Sequence, residues 1–246
     1  MRGSTTVAHG VSAAPDVVLD WLRALISLAF VVLLPLLLIS IGLRGLVTDR
    51  DLLLRGFRDN RVDVSTGLDQ PQLERVADSF VAYFQAPPGP LQMQVQTRGQ
   101  SRPLFSDREV QHMQDVQALV QLFLRLGQLA GAVLVVRALV ALTLDHSTVP
   151  IGRELLWSAA LVVALVVVIG LLSLVDFTEL WRRFHQVAFR NDLWQLDPTR
   201  DYLIMLFPEP FWYTATIRLA TTVGLETVGV VLLGALLAFV VPRSPR

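Results

Sequence analysis

Four stretches of this 246-residue chain stay apolar for about as long as a helix needs to cross a bilayer, and no other feature restricts its folding so severely. They are residues 24–43, 118–144, 155–174 and 219–241. In hydrocarbon a backbone must satisfy its own hydrogen bonds, so such stretches fold as helices. The third run is the cleanest. The first is interrupted by Ser27, Pro35 and Ser40, the fourth by Glu226, and the second carries Gln121, Arg125, Gln128 and Arg137. The first run exceeds the apolar core of an export signal, and Ile41-Gly42-Leu43-Arg44 offers no small-x-small cleavage site, so it reads as a retained anchor. Four spans leave the loops 44–117 and 175–218 together at one surface. The expectation is an all-α integral membrane protein, a single four-helix membrane domain over 1–246 whose two large loops form a small cap on one side.

Composition narrows the chemistry. Acidic and basic residues balance at 21 each, which gives no reason to expect nucleic acid. Every basic residue is arginine, so a Schiff-base lysine and a P-loop lysine are excluded. Cysteine is absent, which removes disulfides, thiolate metal sites and cysteine nucleophiles. The residues call for no cofactor and no metal.

The first loop reads as folded. Asp69 and Pro71 open a helix whose Leu73, Val76, Ala77, Phe80 and Phe84 recur at helical spacing, an amphipathic pattern that suits a membrane surface. Ala86-Pro87-Pro88-Gly89-Pro90 stops it, and residues 91–97 alternate as an extended segment would. Ser106 and Glu109 make a capping box for a helix that runs on into the second span. In the second loop, Asp197-Pro198-Thr199-Arg200-Asp201 begins a short helix whose Tyr202, Leu203, Leu206 and Phe207 suit the bilayer interface. Trp181, Trp194, Trp212 and Tyr213 read as an aromatic belt.

Two histidines stand out. Spans two and three form a hairpin, which returns its outer ends to one surface; His112 precedes the first of them and His185 follows the second. On the helix that starts near Ser106, Arg108, His112 and Asp115 share a face, making His112 with Asp115 a candidate carboxylate-supported imidazole. His185 lies in a segment rich in aromatics, with Asn191, Asp192 and Trp194 just beyond it. His9 and His146 fall in a tail and in the hairpin turn, where surface placement is expected.

Arg108-Glu109-Val110, His112-Met113-Gln114-Asp115-Val116, Phe184-His185, Asn191-Asp192-Leu193-Trp194, Leu196-Asp197-Pro198 and the run from Asp201 to Pro208 together resemble the bacterial lipoprotein intramolecular transacylases. The likeness covers nearly the whole chain. Ala188, where an aromatic is expected, and Gln117, where a basic residue is expected, depart from it. The resemblance implies transfer of the sn-2 acyl chain of a diacylglyceryl-modified cysteine to that cysteine's α-amino group, leaving a lyso-form lipoprotein. Its partners would be diacylglyceryl-modified bacterial lipoproteins and membrane lipids. His112, His185 and Asp115 would be catalytic, and Arg108, Asn191, Asp192 and Trp194 would bind substrate. An imidazole suits this chemistry independently of the resemblance, because an α-amino group titrating near pH 8 must lose a proton to attack an ester.

Two other readings remain. A metal-dependent membrane hydrolase would use His112, His185, Asp115 and Asp192, though no HExxH-like spacing is present. A non-catalytic lipid-binding or assembly protein would use the same polar loops. Glu226 is expected to pair with Arg125 or Arg137 inside the membrane. The protein is expected in the bacterial cell membrane with its large loops on the extracytoplasmic side. Arg182, Arg183, Arg190, Arg200 and Arg218 in the second loop argue for the opposite orientation.

Overall fold

The structure, a computed structural model, describes residues 13–97, 100–143 and 147–240; His9, His146 and the end of the fourth apolar run lie outside them. Four long helices each carry a stretch apolar enough to cross a membrane: α1 (Ala13–Val47), α5 (Asp107–Thr143), α6 (Val149–Ala188) and α8 (Glu209–Ala235). The last continues as a π-helical turn over Leu236–Val240. Between α1 and α5 come α2 (Arg50–Asp59), α3 (Val62–Thr66), α4 (Gln70–Gln85) and the strands β1 (Gln94–Thr97) and β2 (Gln100–Pro103); between α6 and α8 comes α7 (Tyr202–Leu206).

In the bundle α1 packs along α5, α6 and α8, while α6 pairs most closely with α8 and α5 barely touches α6. Small residues permit the closest approach. A Cβ on Gly152 of α6 would lie 2.5 Å from the Ala238 backbone nitrogen and 2.8 Å from the Gly234 carbonyl oxygen, so only glycine fits there. Three helices are also joined by a buried polar contact: the Arg137 guanidinium lies 2.8 Å from Glu154 Oε1, and Ser27 Oγ donates to the same oxygen at 2.6 Å. Arg137 thus pairs with Glu154 rather than with Glu226. Both members of the pair lie within two turns of the α5–α6 connection, whereas Glu226 sits near the middle of α8. Its Oε2 is buried with no partner among the described residues.

At the other end, the two loops share one core. The apolar face of α4, with Leu73, Val76, Ala77 and Phe80, packs with Phe57, Phe105, Met113, Leu203, Leu206, Phe207 and Phe211. Phe207 is the hub: its ring centroid lies 4.8 Å from that of Phe80 and 5.6 Å from that of Phe57. This corrects the interfacial expectation for α4 and for Leu203, Leu206 and Phe207, whose apolar surface is covered by the opposite loop and not by lipid. The capping box at α4 is present, with Asp69 accepting from Gln72 N at 2.9 Å and Gln72 Oε1 accepting from Asp69 N at 3.0 Å. The extended segment resolves into an antiparallel pair that aligns Thr97 with Gln100 and Gln94 with Pro103. The helix expected from Asp197 starts later, at Tyr202. Asp197 Oδ1 instead accepts from Thr199 N at 2.9 Å, which holds that stretch as turns.

Helix α6 is broken once. Asp176 has φ −160° and ψ 92°, and its carboxylate accepts from Glu179 N at 2.9 Å, so it caps a new helical segment that carries Trp181 and His185. Asp176-Phe177-Thr178-Glu179 has the spacing of a capping box directly after an apolar run, the signal from which the break could have been read.

Candidate active site

The break in α6 and the early start of α5 bring the two histidines together. The ring centroids of His112 and His185 are 6.1 Å apart, and both residues are buried. Neither element alone would do this. His112 lies in the second turn of α5, which Ser106 and Glu109 begin above the apolar run: Glu109 Oε2 accepts from Ser106 N at 2.7 Å and from Ser106 Oγ at 2.8 Å. The other Glu109 oxygen accepts from Leu203 N at 2.7 Å, which ties α5 to the start of α7.

His185 stands in an aromatic enclosure. Trp181, Phe184, Phe189 and Trp194 place their ring centroids 4.8, 5.3, 5.6 and 5.1 Å from its own. Phe189 also meets His112 edge-on at 5.1 Å. Trp181 in turn stacks on Trp212 at 4.7 Å, so residues read as an aromatic belt build a wall of the site. Trp181, His185 and Phe189 are spaced by four, one helix face, and that spacing was the available signal for two wall residues that sequence reasoning did not place in the site.

The hydrogen bonds assign the protons. His185 Nδ1 lies 2.8 Å from the Trp181 carbonyl oxygen. A carbonyl only accepts, so Nδ1 carries the hydrogen and, in the neutral ring, Nε2 holds the free lone pair. Nδ1 of His112 is buried with no partner among the described residues. Such an atom is rare in a folded protein unless something else satisfies it. Burial of both rings, side by side, disfavours a positive charge on either in the resting site.

The remaining expected site residues divide. Asp115 does not bond His112; its carboxylate accepts from Asn191 Nδ2 at 2.9 Å, and Asn191 Oδ1 accepts from Leu193 N at 3.1 Å. Arg108 donates to the carbonyl oxygens of Asp192 and Leu193. The Asp192 carboxylate accepts from Gln195 Nε2 at 3.1 Å. Arg108, Asp115 and Asn191 thus hold the loop that lays Trp194 against His185, and Trp194 alone of the four expected substrate-binding residues is in ring contact with a histidine. Among the described residues no three His, Cys, Asp or Glu side chains converge as metal ligands.

Beneath the site, Gln117 is a rivet. Its amide donates to the Tyr83 carbonyl at 2.7 Å and accepts from Gly89 N at 3.1 Å, closing the Pro-rich turn onto α5. A longer basic side chain could not make both bonds from so buried a position, and this accounts for glutamine there. Tyr83 donates its hydroxyl hydrogen toward the Met113 carbonyl at 2.9 Å, and burial pushes that hydroxyl up to about 12.

A helical bundle with four helices apolar enough to cross a membrane, and with paired imidazoles in an aromatic enclosure where α5 and α6 leave their apolar stretches, defines a multi-pass membrane protein. Residues 28–212 match the family model for "Lipoprotein intramolecular transacylase Lit", and the chain belongs to that family. It is therefore an acyltransferase of the membrane that acts on lipoproteins. The chain is similar to the membrane-integral lipoprotein intramolecular transacylase Lit of Bacillus cereus, with a TM-score of 0.75 at 17% identity over 89% of this chain and 96% of that one. A histidine-to-alanine variant of the same Bacillus cereus protein gives a TM-score of 0.73 at 16% identity over 91% and 96%. An uncharacterized protein of Aquifex aeolicus (strain VF5) is 22% identical over 199 residues, 81% of this chain and 88% of its own length.

Proposed function

We propose that the histidine pair moves the sn-2 acyl chain of a diacylglyceryl-modified cysteine onto the α-amino group of that cysteine, and that the two loops face the extracytoplasmic side. One observation carries the reading: His185 donates its Nδ1 hydrogen to the Trp181 carbonyl, which leaves Nε2 as a base beside a second buried imidazole. The amine nitrogen attacks the ester carbonyl carbon while His185 Nε2 takes its proton. The C–O bond to the glyceryl group then breaks, and the proton passes to the departing oxygen. A neutral His112 serves as hydrogen-bond donor to the oxyanion, and the proton held by His185 goes to the leaving oxygen. Amine and ester belong to one substrate, so proximity supplies much of the acceleration, and each proton transfer adds about 10²–10⁴-fold.

Mass spectrometry of a lipoprotein N-terminus, from a bacterial host with and without this protein, tests the reading. An N-acyl, S-monoacylglyceryl cysteine found only with the protein is the expected result. Unchanged diacylglyceryl cysteine would overturn it in favour of a lipid-binding role.

A further inference from the structure

The outer face of α5 carries a polar ladder that the acyl-transfer reading does not use. Gly127, Ala130 and Leu134 are buried in the bundle, and Gly127 meets Ser40 of α1. At 100° per residue, Gln114, Gln121, Arg125 and Gln128 fall within about 60° of one another on the opposite side. Arg125 and Gln128 are exposed, and they are flanked by Leu122 and Leu129, 51% and 62% exposed. Among the described residues no other helix lies against this face. Among the described residues Arg125 has no ion pair or hydrogen bond, and its own face of α5 presents no carboxylate.

Its depth is set by the cap. Gln121 donates to the Ala86 carbonyl at 3.2 Å, so the rim of the cap meets α5 one turn above Arg125. Side chains on a helix lean toward its N-terminus, which for α5 is the cap end, so the guanidinium is carried upward to just under that rim. A guanidinium among lipid-facing leucines is costly unless an anion or an acceptor-rich group covers it. A second copy of the chain docked through the same face in parallel would bring two Arg125 side chains to one depth, and like charges there oppose that arrangement.

We propose that this face of α5 binds the headgroup of an anionic phospholipid, with Arg125 on the phosphate and the Gln121 and Gln128 amides as its polar neighbours. Arg guanidinium is suited to phosphate by its planar donor fork. The proposal depends on the fold alone and stands or falls separately from the acyl-transfer chemistry.

The test uses the full chain in nanodiscs of mixed phosphatidylglycerol and phosphatidylcholine, with native mass spectrometry of the lipids that stay bound. The wild type is expected to retain phosphatidylglycerol with a preference of roughly tenfold, and Arg125→Gln to reduce that preference to near unity. Arg153→Gln, at the far end of the bundle, should leave it unchanged. Equal preference in wild type and Arg125→Gln would overturn the proposal. Because the chain lacks cysteine, Gln128→Cys provides a clean second measurement in native membranes. A disulfide-linked dimer in high yield would show that a second copy covers this face and would equally overturn the proposal; a monomer supports it.

Discussion

The two imidazoles differ in what holds them. His185 is oriented by the Trp181 carbonyl and flanked by four aromatic rings, whereas the Nδ1 of His112 bonds nothing within the described residues. His185→Ala and His112→Ala are each expected to lower the transacylation rate by at least about 10²-fold, measured by mass spectrometry of lipoprotein N-termini. Both variants should insert normally, because insertion is set by the four apolar stretches, which neither substitution touches; full turnover by either one would remove that residue from the mechanism. Asp115 acts at one remove. Asp115→Asn keeps an amide oxygen that can accept from Asn191 but loses the charge that strengthens the bond, which loosens the loop under Trp194 by about 1 kcal/mol or less. Its activity should therefore fall by less than that of either histidine variant. A direct support of His112 by Asp115 would instead make the two defects equal. The histidines were legible as residues because each stands beside an apolar run in a chain with few others. The partner of Asp115 was not, since a carboxylate three residues from a histidine carries no information about a loop arriving from far along the chain.

Among the elements, the four long helices were readable from hydrophobic length, and the helices at Gln70 and Asp107 from their caps. What local pattern does not contain is where an amphipathic face points. The apolar stripe of α4 and the residues Leu203, Leu206 and Phe207 fit a bilayer surface as well as a protein core, and only the opposing loop decides between them. α2 and α3 escaped for the same reason, being short and mixed in polarity. The α6–α8 contact is the most exacting in the bundle. Gly152→Leu would force the backbone at Gly234 and Ala238 away from α6, and overpacking of this kind costs about 1–3 kcal/mol or more. A drop in thermal unfolding temperature of several degrees in detergent is expected; an unchanged transition would mean that the two helices are not in contact in solution.

Across the whole molecule, polar contacts are split between two ends. The cap holds the histidines, and the α5–α6 end holds Arg137, Glu154 and Ser27 in one buried group, with the Arg137 and Glu154 side chains 10% and 6% exposed. Glu154→Gln removes this carboxylate from beside the buried guanidinium and is expected to lower the unfolding temperature. Replacing both Arg137 and Glu154 with leucine should recover most of that loss, a comparison that thermal unfolding of the single and double variants measures. If the single variant were as stable as the wild type, the pair would not be joining the helices.

The discontinuity at Asp176 has a consequence for the bilayer. Below it α6 answers to lipid; above it the same chain is fastened to the cap, with Thr178 donating to Glu209 and Trp181 stacked on Trp212. A membrane that thins or thickens can then tilt the lower rod about that joint without dragging His185 away from His112. Turnover in proteoliposomes should accordingly vary little with acyl-chain length, and Asp176→Ala, by fusing the two rods, should make it length-sensitive.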